Sequence, residues 1–345
     1  MIKIMDSTLI ILTKKWGINY TGATLATQYL TEKWEKFFDN IIVYTIEIGT
    51  YKNNLNIKIK QFDKIDQLFN ALCEEKKNIN GKILGYSDDH LGYLFKKSNI
   101  PYVHTYHGNW PDAKWVSLEF FVKSFYFIPL YRKTIRGASI VVNVSKYMER
   151  FTDKSNLNSV VIHNGMDYKP VDTDKFYPMT YVMVGNIDSR KYKKMIKIAK
   201  KILVIDKKIK IDIYGNIMDD VIARKLKKIE NINLKGVKKV IPYTAYCGLI
   251  NTSTIENLSI SVCEAIQSGI PIFCFKVGGL EEVVKNNETG FIFEKNEYDK
   301  MAEKIVNYTN EEGQIQVDKK IVATFDWSVA AKKYLKLFEK IRNEI

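Results

Sequence analysis

The sequence predicts an α/β protein made of two doubly wound parallel sheets, and three observations carry that expectation. Its 345 residues are about twice the length of a usual domain. Short β-rich runs alternate with longer segments of helical period, the pattern of strand-helix-strand units. The alternation breaks at an irregular, proline-bounded stretch, residues 166–178, and then starts again.

In chain order, Leu9–Thr13 reads as a strand, Ala23–Phe38 as a helix and Ile41–Glu47 as a second strand. Lys82–Gly85, the helical run His90–Lys97 and the strand Tyr102–Thr105 continue the rhythm, and Val141–Val144 and Val160–Ile162 add further strands. Asn164-Gly165 supplies a turn, and the interdomain hinge is placed in the stretch that follows. Beyond it come the strand Tyr181–Val184, a helix near Lys191–Val204, the strand Lys210–Tyr214, and strands around Asn233 and at Pro271–Phe275. Strands separated by helices form parallel sheets with right-handed crossovers, whose ligand crevice lies at the strand carboxyl ends. The final run, Trp327–Glu339, carries Val329, Ala330, Tyr334, Leu337 and Phe338 at helical spacing. It is expected to return to the first domain, giving domains of residues 1–170 with 326–345, and of residues 171–325.

Hydrophobic residues at 46% and charged residues at 27% exclude a disordered or fibrous chain. No apolar run approaches the roughly 20 residues of a membrane-spanning helix, and no export signal is read at the N-terminus. Cys73, Cys247, Cys263 and Cys274 lack metal-site spacing and read as reduced thiols, which suits a cytoplasmic protein. The formal net charge of +14 points to an anionic partner. Without a helix-turn-helix, zinc-finger or aromatic RNA-binding signature, that partner is expected to be a phosphorylated substrate or an acidic membrane, not nucleic acid.

The densest chemistry lies in Thr252–Pro271, where Glu256 and Glu264 stand eight positions apart around an expected helix start that Asn257 or Ser259 would cap. With Glu264 two turns into the helix, the carboxylates would lie at most about 12 Å apart, at ~1.5 Å per helical residue. The first-turn amides between them, with the helix dipole, would make an anion site flanked by acceptors for hydroxyls.

Glu-x7-Glu, then Ala265-x-x-x-Gly269-x-Pro271, then Gly278-Gly279-Leu-Glu281-Glu282 resembles the donor motif of retaining glycosyltransferase family 4, whose fold is GT-B. Thr105-Tyr-His107-Gly108, Val144-Ser145, Asn164-Gly165-Met-Asp167, Val184-Gly185 and Asn287-Glu-Thr-Gly290-Phe291 extend the resemblance over most of the chain. The resemblance implies that Glu256 receives hydroxyls of a donor sugar and that Glu264 holds the ribose. Main-chain amides near Asn257, Leu258 and Ser259 would meet sugar and phosphates, and His107 would contact the sugar from the opposite domain. The family's Gly-Arg … Lys signature here reads Gly185-Asn186-Ile-Asp-Ser-Arg190-Lys191, so its Arg is replaced by Asn186. Lys191 keeps the Lys position, and Arg190 would supply a second cation if its side chain turned inward. Tyr20-Thr21-Gly22-Ala23-Thr24 matches the family's glycine loop, with Gly22 allowing close backbone approach.

Other signals have plainer readings. The lysines after Lys191 accompany a buried stripe of Met195, Ile198, Ile202 and Leu203, so they read as surface charge. Asp172-Thr173-Asp174 reads as loop polarity, and Asp88-Asp89 and Asp219-Asp220 as helix caps or solvated groups, with no metal requirement. Residues 115–150 interleave Phe120, Phe121, Phe125, Tyr126, Phe127 and Tyr131 with Lys123, Arg132, Lys133 and Arg136. That composition suits either a peripheral helix on an anionic inner-membrane face or a buried helix with a basic rim.

The resemblance implies transfer of a hexose or N-acetylhexosamine from a UDP-sugar co-substrate to a glycan, lipid-linked or protein hydroxyl, with retention and without a cofactor or metal. Closure about residues 167–178 would exclude water. Two other readings stand beside it: a non-catalytic subunit of the same fold that binds an acceptor or partner, and a sugar-nucleotide epimerase. The sequence leaves the oligomeric state open.

Overall fold

A computed structural model describes the chain apart from residues 1–5, 18–21, 52–55, 109, 116, 153–154, 167, 172 and 311–314. Tyr20 and Thr21 of the expected glycine loop, Asp167 at the start of the expected closing segment and Asp172 of the Asp-Thr-Asp run lie outside the described residues. The chain forms two compact units, residues 1–165 with Phe325–Ile345, and Met166–Thr324.

The elements of the first unit are β1 (Ser7–Leu12), β2 (Lys15–Trp16), α1 (Gly22–Trp34), β3 (Asn40–Thr45), β4 (Glu47–Ile48), β5 (Ile57–Gln61), α2 (Ile65–Asn78) and β6 (Lys82–Ser87). After them come α3 (Tyr93–Lys97), β7 (Tyr102–Tyr106), α4 (Trp110–Ala113), α5 (Leu118–Gly137), β8 (Ile140–Asn143), α6 (Lys146–Glu149) and β9 (Ser159–Val161). Seven strands pair in the order β5-β3-β1-β6-β7-β8-β9, every described pairing parallel. Strand β1 is buried along its whole length because both sheet faces are covered. With side chains alternating between faces, Leu9 and Ile11 join Leu30 and Trp34 of α1, whereas Ile10 and Leu12 join Leu68 and Leu72 of α2 and Phe95 of α3. The order reverses between β1 and β6, so the crevice of this sheet lies at Thr13 and Asp88.

The second unit contains β10 (Thr180–Val184), α7 (Ser189–Tyr192), α8 (Met195–Ile205), β11 (Lys210–Tyr214), α9 (Asp220–Lys227), β12 (Ile232–Gly236) and β13 (Leu249–Asn251). It continues with α10 (Ile260–Gln267), β14 (Ile272–Phe275), α11 (Leu280–Val283), β15 (Gly290–Phe293) and α12 (Tyr298–Asn310). Its six strands run parallel in the order β12-β11-β10-β13-β14-β15, reversing between β10 and β13. The last helix, α13 (Trp327–Asn343), belongs to the first unit. Its Trp327, Ala330, Ala331, Tyr334, Leu335, Phe338 and Ile341 join the core formed by α1 and one face of the first sheet.

Some expectations need correction. Helix α1 stops at Trp34, four residues short of Phe38, and the expected Lys191–Val204 helix divides into α7 and α8. Met195, Ile198 and Ile202 form the buried stripe of α8, but Leu203 is only half-buried, and Val329 of α13 faces solvent. Three cysteines are buried and Cys73 is half-buried, all as free thiols. Among the described residues, no helix is long and apolar enough to cross a membrane.

Candidate active site

In the second unit the carboxyl ends of β10 and β13 diverge at the reversal point. A small hollow opens there, lined by Val184, Lys191, Asn251, Thr252 and Ser261 among others. Two loops are tied together at its rim. The Thr252 hydroxyl donates to the carbonyl of Lys191 at 2.5 Å, and the Thr254 amide donates to the carbonyl of Arg190 at 2.9 Å. Helix α7 is itself fixed by Asp188, whose Oδ1 accepts the amides of Arg190 and Lys191 at 2.9 and 3.1 Å.

Gly185 ends β10 with a φ of 138°, a backbone conformation that glycine adopts readily. A Cβ there would stand 2.5 Å from Lys191 Nζ, so the missing side chain makes the space in which the ammonium rests. Asn186 beside it is exposed. Arg190 does not reach inward: its guanidinium binds Asp188 Oδ2 at 2.6 and 3.1 Å. Of the two cations expected at the diphosphate, the structure sets Lys191 at the hollow and commits Arg190 to a carboxylate.

The candidate donor stretch that begins at Glu256 is a loop leading into α10. The side chain of Leu258 is buried and anchors the loop, which leaves its main chain as the group that can meet a ligand. Ser259 occupies the N-cap position, but its hydroxyl pairs with the hydroxyl of Ser261 at 3.1 Å and caps no amide. The Ser259 side chain makes no capping hydrogen bond to the first turn, an arrangement that favours an anion at that end. Glu264 is the fifth residue of α10, a little over one turn from the start and not two. Its Oε2 accepts the Tyr243 hydroxyl at 2.8 Å, and burial raises its pKa against the lowering effect of that bond. Glu256 is half-buried in the loop, with the Ser253 hydroxyl donating to its Oε2 at 3.4 Å.

Gly278-Gly279 supports this loop from behind. Gly278 has φ 62°, and a Cβ on it would stand 1.4 Å from the carbonyl oxygen of Glu256. The Gly279 amide donates to the carbonyl of Asn257 at 2.9 Å. Tyr243, Asp188 and Gly278 therefore act on the candidate residues through orientation. The sequence announced only the glycine pair, because a tyrosine 21 positions from its partner leaves no periodic trace.

In the first unit Gly22 is the exposed first residue of α1, and a Cβ there would meet nothing within 4 Å among the described residues. His107 follows β7 at the carboxyl edge of the sheet, and burial pushes its pKa down to about 4, so the ring is neutral at physiological pH. His104, inside β7, shares its Nδ1 with the hydroxyl and carbonyl of Ser87 at 3.0 and 3.2 Å. Asp89 caps the turn at His90 by accepting the Leu91 amide, and Asp219 caps α9, both as expected. Asp88 departs from its expectation. It is buried at the reversal point, where Thr27 donates to its Oδ2 at 2.5 Å.

Two doubly wound parallel-sheet units, each with its own reversal point, define a protein of the GT-B fold class. Residues 175–321 match the family described as Glycosyl transferases group 1, and residues 85–169 match Glycosyltransferase Family 4. Both matches support a family-4-like glycosyltransferase. It is 26% identical over 343 residues to an uncharacterized glycosyltransferase of Methanocaldococcus jannaschii, covering 93% of this chain and 95% of that one. Among solved structures it resembles Anabaena HepE in complex with UDP-glucose, with a TM-score of 0.76, 16% identity and coverage of 96% and 99% of the two chains. The pneumococcal O-GlcNAc transferase GtfA in complex with UDP and GlcNAc gives a TM-score of 0.74 at 11% identity, covering 98% and 99%.

Proposed function

We propose that this glycosyltransferase moves a hexose or N-acetylhexosamine from a UDP-sugar to a hydroxyl of a glycan, lipid-linked or protein acceptor, with retention at the anomeric carbon and without a metal. The observation that carries the reading is the joining of the Lys191 turn to the Thr252–Glu256 loop by hydrogen bonds to the Lys191 and Arg190 carbonyls. One cation and the amides of α10 would face the same diphosphate, with Glu256 on the sugar side and Glu264 on the ribose side. UDP-glucose bound to HepE, and UDP with GlcNAc bound to GtfA, favour the uridine donor. Negative charge grows on the departing diphosphate, and Lys191 with the amides would stabilise it as the acceptor hydroxyl enters from the same face. His107, being neutral, would serve as a hydrogen-bonding group to the donor sugar and not as a cation.

Calorimetric titration of UDP- and GDP-sugars into the wild type and Glu264→Ala tests the assignment. Loss of hydrogen bonds to a charged group costs about 1.5–3 kcal/mol, so UDP-sugar affinity should fall roughly ten- to a hundredfold. Unchanged affinity would overturn the ribose assignment. Asn186 and the Asp188-bound Arg190 favour a second reading, a non-catalytic subunit that binds an acceptor or partner. A pure chain that neither transfers nor hydrolyses UDP-sugar would establish that reading instead.

A further inference from the structure

Helix α5 has two halves of different character. Its second half is anchored: Tyr131, Thr134 and Ile135 are buried, and the Thr134 hydroxyl accepts the Tyr93 amide and donates to the His90 carbonyl. Its first half is held from one side only, by Phe127 stacked on Trp110 at 4.5 Å and edge-on to His90 at 5.1 Å. The opposite side carries Leu118, Val122 and Phe125, which are 79, 61 and 69% exposed, and Tyr126, 56% exposed, flanks it with its ring edge-on to His90 at 6.3 Å. Together with Phe121 they fall at i, i+3, i+4, i+7 and i+8, the spacing of an apolar stripe that a globular helix ordinarily turns inward.

Continuing that face at 3.6 residues per turn leads to Arg132, Lys133 and Arg136, all exposed. The acid of the helix is Glu119, which lies to the side and pairs with Lys123. One helix face thus reads apolar and aromatic at its start and purely cationic at its end, with Trp115 73% exposed just before it.

We propose that this face of α5 docks on the surface of an anionic lipid bilayer. Leu118, Val122 and Phe125 would enter the headgroup boundary, Trp115 and Tyr126 would lie at its polar edge, and Arg132, Lys133 and Arg136 would meet lipid phosphates. The cationic half selects this occupant over a second copy of the chain, because a twofold contact between two such faces would bring like charges together or leave them unpaired. The proposal is independent of the donor assignment, and its test involves no sugar.

The full chain is sedimented with vesicles of phosphatidylcholine, alone and with roughly a third phosphatidylglycerol. Binding is expected only with the anionic lipid, decreasing as salt is raised. Phe125→Glu should reduce the bound fraction at least tenfold, and Arg132→Glu and Lys133→Glu should each weaken binding by about fivefold or more. Because these side chains are exposed, the variants should retain the wild-type melting temperature. Trp115 emission, obtained as the difference from Trp115→Phe, should shift to the blue on anionic vesicles. No binding to anionic vesicles, or equal binding to neutral ones, overturns the proposal. So does a dimer in light scattering that Phe125→Glu dissolves, which would assign the face to a second copy.

Discussion

Asp88 has only 5% of its surface in contact with water, and the neighbouring Asp89 holds backbone amides of Lys14 and Leu91. Burial raises the Asp89 pKa as well, against the lowering effects of His90 and of those amides. Burial, and then the Asp89 charge, push the Asp88 pKa up from the ordinary carboxylate value. The native state therefore binds a proton that the unfolded chain releases near pH 4. Stability from this group is complete below that point and is lost as pH rises through the raised value. The buried histidines act in the opposite sense: His104 and His107 are pushed down to about 3 and about 4 by burial. Their contribution is present above about pH 6.5 and disappears as pH falls through those values. Thermal melts of wild type and Asp88→Asn from about pH 4 to about pH 9 should diverge, with the variant gaining on the wild type as pH rises. Each kcal/mol of gain should raise Tm by about 2–4 °C, and parallel curves would contradict the assignment. An Asp-Asp pair after a strand reads from sequence as a cap. Only the sheet order reveals that one of the two is buried against Thr27 of α1.

At the scale of elements, the candidate donor loop is held by a neighbouring turn as much as by its own residues. Gly278→Ala would place a Cβ against the Glu256 carbonyl in addition to forcing an L side chain to a positive φ. Gly236 has φ 73° and open space where its Cβ would be, so Gly236→Ala carries the backbone strain without the collision. Both substitutions should cost about 1–2 kcal/mol of stability from backbone strain, but only Gly278→Ala should weaken UDP-sugar binding, by tenfold or more. Equal binding by the two variants would show that the collision is relieved without moving the loop. The motif was legible because glycines at fixed offsets mark such approaches. The exact start of α10 and the hydroxyl pairing of Ser259 were not, since several residues in Asn257–Ser261 can begin a helix equally well.

At the scale of the molecule, the first unit is completed by a helix that comes last in the chain. Phe338 meets Trp34 and Phe38 edge-on at 5.2 and 5.5 Å, and the Tyr334 hydroxyl hydrogen-bonds with that of Thr105 at 2.8 Å. Phe338→Ala should cost about 3–5 kcal/mol by transfer and cavity terms. Hydrogen exchange should show lost protection in the strands of the first unit with the second unchanged. A loss below about 1 kcal/mol would mean that the helix is dispensable to that core.

The amino-acid pattern by itself determined the two-sheet α/β class, the amphipathic last helix and the turn glycines around the candidate donor loop. Strand periodicity, helix periodicity and turn glycines are local signals, readable over a few residues. Tertiary structure decided what locality cannot express. It gave Arg190 to Asp188, aimed Glu264 with Tyr243, buried Asp88 but capped with Asp89, and turned the aromatic stripe of α5 outward. Each of those outcomes depends on which distant group fills the space beside a side chain, and that is fixed only when the sheets are ordered and their faces covered.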